Sequence, residues 1–76
     1  MKQIIDGLLY DSEKAECIGE YYYADGWRSF YKTAKMRYFI EVSYDIFILS
    51  ESEVMRVLGE ADPDKYIELF GPVEEA

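Results

Sequence analysis

Residues 27–49 constrain the fold more than any other part of this 76-residue chain. The segment is rich in Val, Ile, Tyr, Phe and Trp in near-alternating runs, which suits the half-buried surface of a β-sheet. We expect strands over residues 27–33, 36–44 and 46–49, with a tight turn at Ala34-Lys35. The acidic segments on either side are predicted to be mainly helical, and such helices need a sheet to pack against.

The segment before this β-rich stretch is predicted to contain both a strand and a helix. Residues 2–10 form a strand or a small hairpin that turns at Asp6-Gly7. Asp11 is typical of a helix N-cap, so a helix is expected from about residue 12 to residue 19. Neighbouring residues of a strand alternate between faces, so at least one of the three tyrosines at 21–23 should point outward.

The segment after the β-rich stretch carries the most specific local signals. Ser50 and Glu53 form a capping box, which predicts a helix from Ser50 to about residue 59. Asp62 as N-cap and Pro63 at the first helical position open a further helix. The predicted order is β-α-β-β-β-α-α. It makes residues 1–76 a single α+β domain with three short helices on one face of an antiparallel sheet of three or four strands.

The composition counts against most kinds of catalytic site. The chain has no His, which removes the commonest general base and metal ligand, and its five glycines form no phosphate-binding loop. Cys17 is the only cysteine, so it has no disulfide partner. We therefore expect no enzymatic activity, no cofactor and no metal site. A small enzyme or ligand-binding protein is the least favoured of the possible readings.

The charge is strongly negative and unevenly distributed. The net charge is −8, and residues 50–76 alone carry eight carboxylates against two cations, net −6. An acidic protein is repelled by nucleic acid and by anionic membranes, so we expect neither as a direct partner. We expect a host protein or ribonucleoprotein complex instead. The first ten residues lack the pattern of a secretion signal and no stretch is long enough to span a membrane, so a cytoplasmic location in the host cell is expected.

Two groups of residues are candidate partner-binding sites. One mixes aromatic rings with cations on the predicted hairpin, a combination favoured at protein interfaces. It comprises Trp27, Arg28, Tyr31, Lys32 and Arg37. The other is an acidic set that can imitate the phosphate row of a nucleic acid and occupy a basic groove. It comprises Glu51, Glu53, Glu60, Asp62 and Asp64. The ordinary alternatives are a sheet edge kept polar by its cations and helix faces that are simply solvated.

The chain also resembles small proteins of phages and mobile elements. Residues 4–16 are similar to their opening, "I-I-N-G-x-x-Y-D-T-E-x-A-x", and residues 30–39 resemble their "L-Y-K-T-K-K-G-x-Y-F". Residues 50–58 and 66–70 resemble their closing helices. The chain departs from this pattern at Asp6 and Ser12 and by having no glycine in the hairpin. The resemblance implies a setting that includes anti-CRISPR and other anti-defence inhibitors.

Taken together, these observations predict a non-enzymatic phage or mobile-element inhibitor. It would bind a host complex that handles nucleic acid, such as a CRISPR effector, through the acidic set, the aromatic-basic hairpin, or both. The alternative is a small structural or regulatory homodimer that associates through its tyrosine-rich sheet.

Overall fold

The chain forms six strands and two helices in the computed structural model, which describes residues 1–76. The elements are β1 (Lys2–Ile5), β2 (Leu8–Asp11), β3 (Glu16–Tyr22), β4 (Trp27–Lys32), β5 (Tyr38–Val42), β6 (Asp45–Leu49), α1 (Glu51–Ala61) and α2 (Pro63–Phe70). Strands β3 to β6 make a four-stranded antiparallel sheet in chain order, and β1 and β2 make a separate two-stranded hairpin. The α+β class is confirmed, but the expectation of three helices and a single small sheet is not matched.

The helix expected over residues 12–19 is wrong, because residues 12–14 form only a turn and β3 occupies residues 16–19. Asp11 does act locally as a cap: its carboxylate accepts a hydrogen bond from the Glu13 amide at 3.0 Å, and its carbonyl accepts one from the Ala15 amide at 2.9 Å. The turn ends at Ala15, and β3 begins at the next residue, Glu16. As a helix, this segment would offer only a narrow apolar stripe. As a strand it buries both Ile18 and Tyr21 beneath the helices, and that burial favours the strand.

The tight turns rely on residues other than glycine in the left-handed region. Five non-glycine residues have positive φ: Asp6, Ala24, Asp25, Met36 and Ser43. The β3–β4 connection turns at Ala24-Asp25, where both residues have positive φ. The predicted turn at Ala34-Lys35 is followed by Met36 with φ of 64°. L-residues with a Cβ are strained in this region, so Met36 is held there by the strand pairing on either side.

The main core lies between the four-stranded sheet and the two helices. Helix α1 contributes Val54, Val57 and Leu58, all buried. The sheet contributes Ile18, Tyr21, Phe30, Tyr38, Ile40 and Leu49. Helix α2 has no fully buried residue, and it packs against this core through the half-buried side chains of Tyr66, Leu69 and Phe70. The helices therefore cover one face of the sheet, as the sequence predicts.

A second, smaller core lies on the opposite face of the sheet, where the β1–β2 hairpin packs. It consists of Tyr10, Phe39 and Ile46, all buried. The Phe39 side chain is 0% exposed. Its ring meets the Tyr10 ring edge-on at 5.6 Å and stacks on the Tyr31 ring at 5.1 Å. The structure therefore has three layers, with the hairpin, the sheet and the helices in that order.

Candidate functional site

The aromatic-basic residues do not form one continuous surface. Side chains along a strand alternate between faces, so Trp27 and Tyr31 lie on the hairpin side of the sheet, while Arg28 and Lys32 lie on the helix side. Trp27 and Arg37 lie at opposite ends of the β4–β5 ladder, about 20 Å apart at the rise of an extended strand. A single flat ligand therefore cannot contact all five side chains at once.

Most members of the aromatic-basic group are occupied by contacts within the fold. The Arg28 guanidinium donates to the carbonyl oxygens of Tyr23 at 3.1 Å and Ala24 at 2.8 Å, which holds the β3–β4 turn. The Tyr31 hydroxyl donates to the Glu41 carboxylate at 3.4 Å, and burial raises the pKa of Tyr31. Lys32 is half-buried. Only Trp27 and Arg37 remain largely exposed, at the two ends of the ladder.

Trp27 forms an exposed aromatic pair with Tyr22. The two side chains are 67% and 61% exposed, and their rings meet edge-on at 5.7 Å across the β3–β4 ladder. Tyr21 is buried and Tyr23 is half-buried, so Tyr22 is the outward-pointing member of the tyrosine run. Trp27, which is paired with Tyr22, and Arg37 are therefore the members of the predicted hairpin surface that are free to contact a partner.

Glu53 in the acidic set caps α1 and ties it to the sheet. The capping box is confirmed: the Ser50 hydroxyl accepts a hydrogen bond from the Glu53 amide, and the Glu53 carboxylate accepts one from the Ser50 amide, both at 3.2 Å. The same carboxylate accepts a hydrogen bond from the Tyr23 hydroxyl. This bond from Tyr23 is the main reason that the pKa of Glu53 is lowered.

Asp62 has the corresponding role at the start of α2. Its Oδ1 accepts a hydrogen bond from the Lys65 amide at 3.2 Å, and its Oδ2 accepts one from the Tyr21 hydroxyl at 2.7 Å. The bond from Tyr21 is the largest cause of the lowered pKa of Asp62. The pKa of Tyr21 is raised, first by burial and then by this bond. Two tyrosines of the β3 segment therefore fasten the N-termini of both helices to the sheet.

The other acidic candidates are exposed but dispersed. Glu51, Glu60 and Asp64 all point to solvent. At 3.6 residues per turn, Glu51 and Glu60 lie about 180° apart around α1. Arg56 projects between them. No single row of carboxylates exists on α1. Residues 51–70, with six carboxylates, two cations and a net charge of −4, nevertheless lie on one side of the sheet, because both helices pack on that face.

Two exposed apolar surfaces were not anticipated from the sequence. On the hairpin, Ile4 and Leu9 face each other across β1 and β2 and are 74% and 52% exposed. On β6, Phe47 and Ile48 are 51% and 44% exposed. The apolar run of residues 46–49 was a usable signal for the second surface. A strand with apolar residues on both faces normally has both faces covered. Here Phe47 on the helix side and Ile48 on the hairpin side are each left partly exposed.

Comparison with known proteins adds no family assignment. No protein-family model matches the chain, and no curated protein or solved structure is significantly similar to it. No group of three or more His, Cys, Asp or Glu side chains is positioned to hold a metal ion. Neither helix combines the length and the apolar composition that crossing a bilayer would require.

Proposed function

We propose that this chain is a non-enzymatic binding protein whose acidic helical layer docks on a basic surface of a complex that handles nucleic acid. The observation that supports this proposal is the segregation of charge by layer. Helices α1 and α2 with the C-terminal tail carry eight carboxylates and two cations, and one of those cations, Lys65, is paired with Glu68 at 2.7 Å. This layer therefore produces a negative field on one side of the molecule.

Such a field acts over a longer distance than any single contact. Charges are screened over about 8–10 Å at physiological salt, so a layer of carboxylates steers a basic partner into an encounter without a matched row of ion pairs. Within the acidic set, Glu51, Glu60 and Asp64 have exposed side chains that can pair with cations of the partner. Glu53 and Asp62 add charge, but their oxygens already accept hydrogen bonds from tyrosine hydroxyls and capped amides.

The proposed biological setting is that of a phage or mobile-element inhibitor acting in the host cytoplasm. It rests on the resemblance of residues 4–16 and 30–39 to small proteins of that origin. A CRISPR effector is the kind of partner we propose, because its nucleic-acid channel is a large basic surface. Occupying that channel would block nucleic-acid binding without any chemical step by the inhibitor.

The test compares two variants that have the same net charge. Glu51→Lys/Glu60→Lys/Asp64→Lys reverses three exposed charges on the helical layer. The control, Asp6→Lys/Glu13→Lys/Glu20→Lys, reverses three exposed carboxylates outside the helical layer, and it leaves Glu16 unchanged because the charge of Glu16 acts on Lys65 of α2. Each set changes the net charge from −8 to −2, since each reversal adds two charge units. Binding of target DNA by a panel of purified CRISPR effector complexes is measured with each protein at low and high salt.

We expect the wild-type protein and the control to inhibit one member of the panel, with inhibition weakening as salt rises. The helical-layer variant should lose most of this inhibition. Equal loss in both variants would show that only the total charge matters and would contradict the assignment to the helical layer. A Trp27→Ala variant tests the aromatic pair separately: loss of inhibition in that variant alone would move the interface to Trp27 and Tyr22.

A further inference from the structure

A groove lies beside β2, on the side of the sheet opposite the helices. It consists of two adjoining hollows of about 250 and 120 Å³, which are lined by β2 and by the β4–β5 connection. Leu9, Thr33 and Ala34 line both hollows, so these three residues mark the middle of the groove. The β2 groove, as we call it, therefore has a middle and two distinct ends.

Both ends of the β2 groove carry free cations. Lys35 and Arg37 line only the larger hollow, and Lys14 lines only the smaller one. All three side chains are exposed, and none of them makes an ion pair within the chain. Three of the eight cations of the chain are thus placed where they can pair with an anionic ligand.

Acidic residues do not cancel this positive charge. The only carboxylate that lines the groove belongs to Asp11, which is buried and accepts a hydrogen bond from the Glu13 amide at 3.0 Å. Asp6 and Glu13 are exposed in the adjoining turns but line neither hollow. With three cations and one carboxylate, the lining has a net charge of +2 in a chain whose net charge is −8.

The middle of the β2 groove is apolar. Leu9 is about half exposed, Ala34 is exposed, and neither hollow shares a charged side chain with the other. Leu8 extends the apolar lining toward the end that holds Lys35 and Arg37. Along its length the groove therefore presents positive charge, apolar surface and positive charge again.

We propose that the β2 groove binds an extended acidic segment of another protein, in which an apolar residue is flanked on both sides by Asp or Glu. The apolar side chain lies on Leu9 and Ala34, where its burial is favourable. Carboxylates on one side of it pair with Lys35 and Arg37, and those on the other side pair with Lys14. The groove follows β2 over three residue steps, about 10 Å, which four or five residues of an extended chain can span.

This order of charge and apolar surface favours a peptide over other anionic partners. A single-stranded nucleic acid needs exposed aromatic rings on which its bases stack, and Tyr10, the only aromatic residue in the lining, is buried. An anionic membrane surface contacts protruding apolar side chains and not the floor of a groove. The inference does not rest on the proposed function, because it uses the opposite face of the sheet and a partner of opposite charge.

The test is a titration of the isotope-labelled protein followed by NMR of its backbone amides. The probe is the peptide Glu-Asp-Leu-Asp-Glu with an acetylated N-terminus and an amidated C-terminus. We expect shifts at residues 8–9 and 33–37 and none in the two helices, with a dissociation constant in the high micromolar range that rises with salt. The peptides Gln-Asn-Leu-Asn-Gln and Glu-Asp-Ser-Asp-Glu should each bind at least tenfold more weakly.

Matched variants locate the two contributions on the protein. Arg37→Glu and Arg56→Glu each reverse one exposed arginine and change the net charge from −8 to −10, since a reversal removes two units. Arg37→Glu should weaken peptide binding at least fivefold, and Arg56→Glu by less than twofold. Leu9→Ser should weaken it similarly, whereas Ile67→Ser, at a comparably exposed apolar residue of α2, should not. Circular dichroism verifies that each variant folds.

Several outcomes would overturn the proposal. They are the absence of shifts at millimolar peptide, equal weakening by Arg37→Glu and Arg56→Glu, and equally tight binding of the peptide that has Ser in place of Leu. Sedimentation with phosphatidylglycerol vesicles, without any shift from the peptide, would also overturn it and assign the surface to a membrane.

A final comparison separates this proposal from the proposed function. The variant Glu51→Lys/Glu60→Lys/Asp64→Lys changes only the helical layer, so it should bind the acidic peptide at least as tightly as wild type does. Loss of peptide binding in that variant would overturn the assignment to the β2 groove, whatever the variant does to inhibition.

Discussion

The hydroxyl of Tyr21 is the most informative single group to remove, because it joins β3 to the N-terminus of α2. Tyr21→Phe deletes the hydrogen bond to the Asp62 carboxylate, which measures 2.7 Å. The ring remains and keeps its edge-on contact with Phe30 at 5.3 Å. An intramolecular hydrogen bond contributes about 1 kcal/mol net to stability. For a domain of this size, that loss lowers the melting temperature by about 4–8 °C.

Tyr22→Phe is the control, since it removes the same atom from the next residue. The Tyr22 side chain is 61% exposed, so its substitution should change the free energy of unfolding by less than about 0.5 kcal/mol. Both variants are measured by urea and thermal denaturation followed by far-UV circular dichroism. Equal destabilisation by the two substitutions would refute the assigned contact.

The pH dependence gives a second and more specific signature of the Tyr21–Asp62 bond. The folded pKa of Tyr21 is raised, so its contribution is complete below about pH 10 and is lost as pH rises through the folded value. The folded pKa of Asp62 is lowered, so its contribution is present above about pH 4 and is lost as pH falls through the folded value. The stability difference between wild type and Tyr21→Phe should be largest between these limits. A difference that stays constant with pH would contradict this reasoning.

Three further substitutions test other parts of the fold by the same denaturation measurements. Met36→Gly should stabilise the protein by about 1 kcal/mol because it relieves a left-handed conformation, and Lys35→Gly, one residue earlier, should instead destabilise it. Phe39→Ala should cost about 3–5 kcal/mol, because it empties the core between the hairpin and the sheet. A loss below about 1 kcal/mol would mean that the hairpin does not pack there. Ser50→Ala should cost about 1 kcal/mol by removing the N-cap of α1, and Ser52→Ala, at an exposed position, should cost much less.

The two helices of residues 51–70 were predictable from sequence. Ser50, Glu53 and Asp62 specify helix starts through contacts with groups three residues away. Such signals are local and do not depend on the rest of the fold. The strands of residues 27–49 could also be predicted from the sequence, since β-branched and aromatic residues dominate there. Both predictions hold because local preference and tertiary packing agree.

The failure at β3 shows what happens when local preference and tertiary packing disagree. Asp11 does cap a turn, but the gain from burying Ile18 and Tyr21 in the main core outweighs the helical preference of the following residues. Nothing local indicates this outcome, because the partners of Tyr21 lie in β4 and α2. The second core was missed for the same reason: Tyr10 and Phe39 are 29 positions apart in the sequence, and only the fold brings them together.

The candidate site was predictable as residue types and not as an arrangement. Trp27, Arg28 and Arg37 do supply the aromatic ring and the cations that the sequence predicts. Strand alternation places Trp27 and Arg28 on opposite faces, however, and the length of the ladder separates Trp27 from Arg37. Alternation along the predicted strand already separates Trp27 from Arg28, whereas the position of Arg37 relative to Trp27 depends on how β4 and β5 pair.

The five carboxylates of the acidic set divide into two groups with different consequences. Glu53 and Asp62 accept hydrogen bonds from tyrosines and from helix amides, so their substitution would destabilise the helix–sheet junction before it affected any partner. Glu51, Glu60 and Asp64 have exposed side chains and make no hydrogen bond or ion pair within the chain. Reversing all five at once would therefore confuse unfolding with loss of binding. Reversing only the exposed three changes the field of the layer while both caps remain. Glu51 and Asp64 lie in the first turns of α1 and α2, where a Lys opposes the helix dipole, so unfolding has to be measured beside binding.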